Sequence, residues 1–242
     1  MAIIEMKVKL KFFFIVALLT GVVFGMDSDS LRYKNNPNYK LQMEMQNAYK
    51  TRSAKIVMLG NSLTHGANWN EILGRNGVVE RGIPGDILEG FVSRLDGIYN
   101  LKPEIVFVMG GLNDIYGWIP IEEVYQNYLK VINGLEARKI KVVIQSTTYG
   151  AKDYAKDYLA QNNPEVNVHE YNRGRNQEVD RLNKLLKAYA QKNGIDFIDM
   201  NSKVAKGNFL RDDVTHDGIH FNAKGYEIWA TEIDKVLKKY RM

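Results

Sequence analysis

The feature that most constrains this fold is a series of short apolar runs, from Ala54 onward, separated by stretches with helical periodicity. Residues 55–59, 78–83, 104–109, 141–147 and 196–200 read as strands, several rich in Val and Ile and bounded by Gly, Pro or polar turns. Between them Ile121, Val124, Tyr128, Ile132 and Leu135 recur at helical spacing, with Pro120 suited to a first turn. Val179, Leu182, Leu185, Leu186 and Tyr189 repeat the pattern before a stop at Gly194, and Ile228, Trp229, Ile233, Val236, Leu237 and Tyr240 form a last helix. Strands that are apolar throughout, rather than alternating, are buried on both faces. Alternation with helices then implies a parallel sheet covered on both sides. Ligands of such sheets bind at the carboxyl ends of the strands.

The sequence concentrates its chemistry at those ends. After the first strand comes Gly60-Asn61-Ser62-Leu63-Thr64-His65-Gly66, which places Ser62 where a strand turns into a helix and where free N–H groups face outward. A serine there is in most proteins a helix cap, so its companions matter. Gly82 ends the second strand, within Arg81-Gly82-Ile83-Pro84-Gly85-Asp86, and offers a backbone N–H that a substrate oxygen can approach. Asn113 follows the third strand in Gly110-Gly111-Leu112-Asn113-Asp114 and offers an amide. Donors converging from successive strand ends make an oxyanion hole. Near the far end, Asp217 lies three residues before His220, and serine, imidazole and carboxylate are the parts of an activated hydroxyl nucleophile.

Four histidines are present: His65, His169, His216 and His220. His65 is too close in sequence to Ser62 to serve it well as base. His216 and His220 are four apart, the spacing of a metal pair on a helix. Gly218 between them and Asp212-Asp213 before them favour a loop, and no third ligand at metal-site spacing is evident. His220 is the better base, and no metal or cofactor is expected. The serine turn lacks the lysine of a P-loop and the glycine spacing of a dinucleotide turn, which disfavours a nucleotide-binding reading.

The chain divides into a leader at 1–25, an arm at 26–53 and a main domain at 54–242. Lys7, Lys9 and Lys11 precede an apolar core from Phe12 to Phe24, with Val23 and Gly25 small enough for a cleavage site. The run is short for a membrane span, so secretion or periplasmic export by a cleaved signal peptide is expected, an uncleaved anchor being the alternative. The arm contains Asn35-Asn36-Pro37-Asn38 and a short helix over about Tyr39 to Lys50. With 242 residues, the chain is long enough to bury one sizeable core. Loss of the leader's three lysines and Glu5 would take the net charge from +5 to +3, which is mild, and no basic cluster with interleaved aromatics points to nucleic acid. There is no cysteine, which excludes thiol catalysis, thiolate metal sites and a lipid-modified N-terminal cysteine, so no stable membrane association is expected once the leader is gone. Residues 149–176 read as a long irregular loop, either bordering the substrate or simply solvated.

Gly60-Asn61-Ser62-Leu63, the glycine at 82, Gly-x-Asn-Asp at 111–114 and Asp-x-x-His at 217–220 resemble the signature blocks of the SGNH/GDSL hydrolases, in the right order. Asp217-Gly218-Ile219-His220-Phe221-Asn222 and the Gly-Tyr-x-x-Trp run at 225–229 strengthen the resemblance, which spans roughly residues 54–240. It implies a three-layer α/β/α flavodoxin-like fold with a five-stranded parallel sheet. It further implies Ser62 as nucleophile, His220 as base, Asp217 as its orienting acid, and Ser62, Gly82 and Asn113 as oxyanion donors. One departure is Asn61, where the family carries aspartate. The implied activity is hydrolysis of small carboxylic esters, with acetylated glycans as expected substrates. Tyr116, Trp118, Tyr149 and Tyr154 near strand ends fit a sugar, although a core also uses such residues. Longer-chain lysophospholipase or thioesterase activity, or a silent glycan-binding module, are the alternatives.

Overall fold

The computed structural model describes residues 31–242; the expected leader at 1–25 lies outside them. After a 3-10 turn at Arg32–Asn35, the elements in chain order are α1 (Pro37–Ala48), β1 (Ile56–Gly60), α2 (Ser62–His65), α3 (Trp69–Ile72), β2 (Val78–Gly82), α4 (Leu88–Ser93) and α5 (Leu95–Tyr99). There follow β3 (Ile105–Met109), α6 (Leu112–Tyr116), α7 (Ile121–Glu136), β4 (Lys141–Gln145), α8 (Lys156–Asn162), α9 (Val168–Asn193) and β5 (Asp196–Ile198). The last are α10 (Asn201–Val204), a small hairpin of β6 (Ala205–Lys206) and β7 (Phe209–Leu210), and α11 (Ala223–Lys239).

The first five strands form one parallel sheet in the order β2-β1-β3-β4-β5. This is the flavodoxin-like order, and the chain reverses direction across the sheet between β1 and β3. The strand alternation sorts two cores. Val57, Leu59, Val106 and Val108 face α4, α5, α7 and α9, where Phe91, Val124, Tyr128 and Leu182 meet them. Ile56, Met58, Ile105 and Phe107 face α3 and α11, where Trp69, Trp229 and Ile233 meet them. Three layers result because the central strands β1 and β3 are apolar and buried on both faces.

The expected strands are all present, with β4 and β5 each shorter by two residues than the apolar runs. The expected irregular stretch at 149–176 is different. It contains α8 and the first turns of α9, a helix of 26 residues capped by the Asn167 side chain on the Glu170 N–H. Periodicity missed the start of α9 because its buried positions there are Asn172 and Asn176 rather than apolar residues. These amides face the chain leaving β4. Asn176 donates to the Gly150 carbonyl and accepts from its N–H, both at 2.9 Å, and Asn172 donates to the Lys152 and Tyr154 carbonyls. Asn183 does the same for Thr147, at 2.8 Å both ways. The segment after β4 is thus irregular in conformation but held largely by side-chain amides, which satisfy backbone groups that no strand reaches.

Candidate active site

Ser62 opens α2 at the carboxyl end of β1, beside the point where the sheet order reverses. Asn61 accepts the Leu63 N–H on its side-chain oxygen at 3.1 Å, so the amide does the capping that an aspartate would do there. The next turn is fixed from α11 and α3: Tyr226 donates its hydroxyl to the Leu63 carbonyl, and the Trp69 indole to the Thr64 carbonyl, both at 2.8 Å. The Gly-Tyr-x-x-Trp run therefore has a role here, with Tyr226 on the serine turn and Trp229 against Trp69 at 4.7 Å between rings.

His220 and Asp217 come from a loop closed by Thr215, whose hydroxyl donates to the His220 carbonyl at 2.6 Å and accepts the Gly218 N–H at 3.0 Å. His220 Nε2 lies 2.9 Å from Ser62 Oγ, and His220 Nδ1 lies 2.6 Å from Asp217 Oδ2. The other Asp217 oxygen accepts the N–H groups of Ile219 and His220 at 2.9 and 2.7 Å. Partial burial opposes ionisation of Asp217. The bonds from the His220 ring and from these two N–H groups outweigh it and hold the carboxyl below its usual range. Serine, imidazole and an ionised carboxylate are in line, the arrangement that draws a proton from a hydroxyl.

His216 stands apart from that line. It is exposed, and its Nε2 is 3.9 Å from Asp217 Oδ2. The segment that holds His216 and His220 is a loop, as Gly218 and Asp212-Asp213 suggested. Ligand atoms of His216, Asp217 and His220 nevertheless lie within 4.8 Å of one another, so Asp217 is a neighbour that spacing alone did not supply. His65 faces Glu80 at 3.7 Å and His169 pairs with Asp153 at 2.9 Å, neither of them reaching Ser62.

Asn113 lies in the first turn of α6, two residues after Gly111, whose φ of +97° only glycine adopts easily and whose missing side chain makes room for Leu182. The Asn113 amide donates one hydrogen to the Asp86 carbonyl at 2.8 Å, leaving its second for a ligand. Gly82 is a correction. The Ile83 N–H donates to the Gly60 carbonyl of β1, so the preceding N–H, that of Gly82, points the opposite way, off the free edge of the sheet. There it is taken by the Glu80 carboxylate, whose pKa burial raises despite that bond and the nearby His65 and Arg81. Gly82 is unsuited to receive an oxyanion.

Three residues on, Ile83-Pro84-Gly85-Asp86 forms a tight turn closed by the Asp86 N–H on the Ile83 carbonyl at 3.1 Å, with Gly85 at φ +75°. Positive φ at the third position is that of a type II turn, for which Pro-Gly is the favoured centre. The Gly85 N–H has no partner among the described residues, and Asn113 grips the next residue. The Pro-Gly-Asp turn was the signal that would have pointed to it. Beneath lies Arg94, buried to 2% exposure, which donates to Asp86 Oδ2 at 2.9 Å, to the Arg81 carbonyl at 2.8 Å and to the Gly60 carbonyl at 2.9 Å.

A model of the GDSL-like lipase/acylhydrolase family matches residues 58–228. The chain belongs to that family. Among solved structures, it is similar to a protein of Bacteroides fragilis assigned to the acylhydrolases, at 27% identity and a TM-score of 0.68, covering 84% of this chain and 97% of that one. A GDSL-like lipase from Bacteroides thetaiotaomicron gives 25% identity, a TM-score of 0.68, and coverage of 84% and 98%. An acetyl xylan esterase, AlAXEase, shares the fold at 18% identity and a TM-score of 0.59, covering 76% of this chain and 100% of that one. A curated N-acylneuraminate cytidylyltransferase of Streptococcus agalactiae serotype V is 25% identical over 126 residues, 52% of this chain. The chain spans about a quarter of the length of that relative.

Proposed function

We propose that this acylhydrolase is an exported serine esterase that removes acetyl groups from carbohydrates through an acyl-serine intermediate. The observation that carries the hydrolytic reading is the Ser62–His220–Asp217 line, at 2.9 and 2.6 Å. His220 Nε2 takes the Ser62 proton as Oγ attacks the ester carbonyl. The resulting oxyanion is held by the Ser62 N–H, the second Asn113 hydrogen and the Gly85 N–H, the last in place of Gly82. Collapse expels the alcohol, which receives its proton from His220. Water activated by the same imidazole then releases the acid. Asp217 keeps the imidazole oriented and balances its charge. None of these steps calls on a cofactor.

The carbohydrate preference is supported by Trp118, which lies two residues past α6 and is 64% exposed. Arg175 stacks on its ring at 3.4 Å from the centroid, and Tyr171, Tyr116 and Tyr154 continue the aromatic surface toward the Asp217 loop. An open aromatic face suits the apolar face of a sugar ring. The similarities to an acetyl xylan esterase and to a segment of an N-acylneuraminate enzyme agree with a sugar-linked substrate. Export rests on the lysines and apolar run of the leader.

A fluorophosphonate probe tests the reading: it should label Ser62, and Ser62→Ala should abolish both labelling and turnover. A panel of acetyl, butyryl, octanoyl and acetylated-sugar esters then sets the acyl length and the alcohol. Labelling elsewhere with undiminished turnover would sink the assignment, and preference for octanoyl esters would transfer the enzyme to lipid-like substrates.

A further inference from the structure

The arm before the family-matched region is built onto the turn that carries Gly85. Asn36 donates its side-chain amide to the Pro84 carbonyl at 2.8 Å, and Asn38 donates to the same oxygen at 3.3 Å. The arm has its own anchors besides these. Tyr33 is buried at 7% exposure and accepts a hydrogen bond from Ser93 at 2.8 Å, and its ring lies 4.5 Å from that of Tyr39, which reaches the Gly90 carbonyl. The family match starts at residue 58, so this arm lies outside it.

A trans peptide points its carbonyl and its N–H in opposite directions. Holding the Pro84 oxygen on the arm side therefore fixes the Gly85 N–H on the other side, where Asn113 grips Asp86. A Pro-Gly centre is compatible with both type I and type II turns, which differ by a flip of this middle peptide. The sequence favours type II but leaves type I within reach, and the two arm amides hold the peptide in the type II orientation. Asn36 is seated for the task, since its side-chain oxygen also accepts the Asn38 N–H at 3.0 Å and caps α1.

We propose that Asn36 and Asn38 are positioning residues for catalysis, holding the Pro84–Gly85 peptide so that the Gly85 N–H faces the oxyanion formed at Ser62. The inference rests on the hydrolase reading and extends it to a segment that the family match does not cover. Losing the hold lets the peptide turn over, replacing a donor in the oxyanion site with a carbonyl oxygen. Ground-state binding changes little, because the contact strengthens mainly in the transition state.

The decisive variant is Asn36→Asp with Asn38→Asp in the full chain. Aspartate caps a helix as well as asparagine but cannot donate to Pro84, and its charge repels that oxygen. Turnover of 4-nitrophenyl acetate should fall by about tenfold or more in kcat, with KM within about twofold and the melting temperature retained. A second pair, Asn36→Ser with Asn38→Ala, should move kcat the same way, which excludes a through-space effect of added charge. The sign of the Gly85 φ, read by NMR couplings or a crystal structure, should pass from positive to negative or averaged. Unchanged kcat in both pairs overturns the inference, as does a loss of kcat with Gly85 still at positive φ. Absence of Ser62-dependent turnover in the wild type defeats the hydrolase reading instead. In that case the Gly85 measurement alone decides whether the arm holds the peptide.

Discussion

A serine hydroxyl attacks an ester poorly until something takes its proton, so the residue-level question is which imidazole does so. His220 lies on Ser62 and is oriented by Asp217; His216 is exposed, and its Nε2 stands 3.9 Å from the Asp217 oxygen that His220 holds at 2.6 Å. His220→Ala should therefore remove nearly all turnover, while His216→Ala should leave kcat/KM within about twofold; the opposite ranking in a steady-state assay would move the base to His216. Asn113 carries a second prediction. Loss of one oxyanion donor costs about 10²–10³-fold in kcat, so Asn113→Ala should show that loss with little change in KM. A variant of full activity would make Asn113 merely a clasp on Asp86. At this scale the sequence displayed Ser62, Asp217, His220 and Asn113 plainly, because each follows a recognisable strand end or sits in a short motif. It did not separate Gly82 from Gly85. Both are glycines at the end of the same strand, Gly82 its last residue and Gly85 three beyond, and only the direction of the strand's N–H groups, set by pairing with β1, shows that Gly82 looks off the sheet edge.

Between elements, Arg94 ties the ends of β1 and β2 to the turn that follows. Its guanidinium reaches carbonyls on both strands and the Asp86 carboxylate, all from within the protein. Removing one partner of a buried pair leaves the other charge uncompensated, at a cost of about 3–5 kcal/mol. Arg94→Met should therefore lower stability by that order in urea melts, and Arg94→Met with Asp86→Asn should recover part of it. Activity should stay low in both, since the Gly60 and Arg81 carbonyls still lack their donor. A single variant within about 1 kcal/mol of wild type would show that the pair is not what fixes these strand ends. The sequence disclosed strands and apolar helices because a sheet buried on both faces demands continuous apolar runs, and the helices that cover it a period of 3.6. It concealed Arg94 and the amides of α9 for one shared reason: their partners are backbone carbonyls and N–H groups, which have no sequence signature. Asn172, Asn176 and Asn183 do repeat on one face of α9, yet a polar repeat reads as a solvated face until the chain leaving β4 is seen lying on it.

Across the whole molecule, carboxylates held by hydrogen bonds and carboxylates buried away from water respond to pH with opposite sign. Asp217, and the surface-paired Asp196 and Asp213, sit below their usual range, so whatever stability they contribute is lost as pH falls below about 4. Asp114 is the reverse. Burial at the base of α6 raises its pKa to about 7; one oxygen accepts the Leu88 N–H at 3.0 Å and the other is unpartnered among the described residues. The unfolded chain releases that proton near the ordinary value of 3.8. Between the two values the folded state binds more protons, so stability falls as pH rises, by up to about 1.4 kcal/mol per pH unit, and levels off above about 7. Burial likewise raises Asp86, to about 6 even beside Arg94, and its contribution adds to the slope only below that pH. Asp114→Asn keeps the acceptor for Leu88 and removes the titration. Urea unfolding of both proteins at pH 5, 6, 7 and 8 should thus show wild type losing stability relative to the variant between pH 5 and 7, then running parallel to it. Parallel curves over the whole range would mean that Asp114 is ionised in the fold, and that the loop between β2 and α4 is held by a carboxylate rather than by a neutral acid.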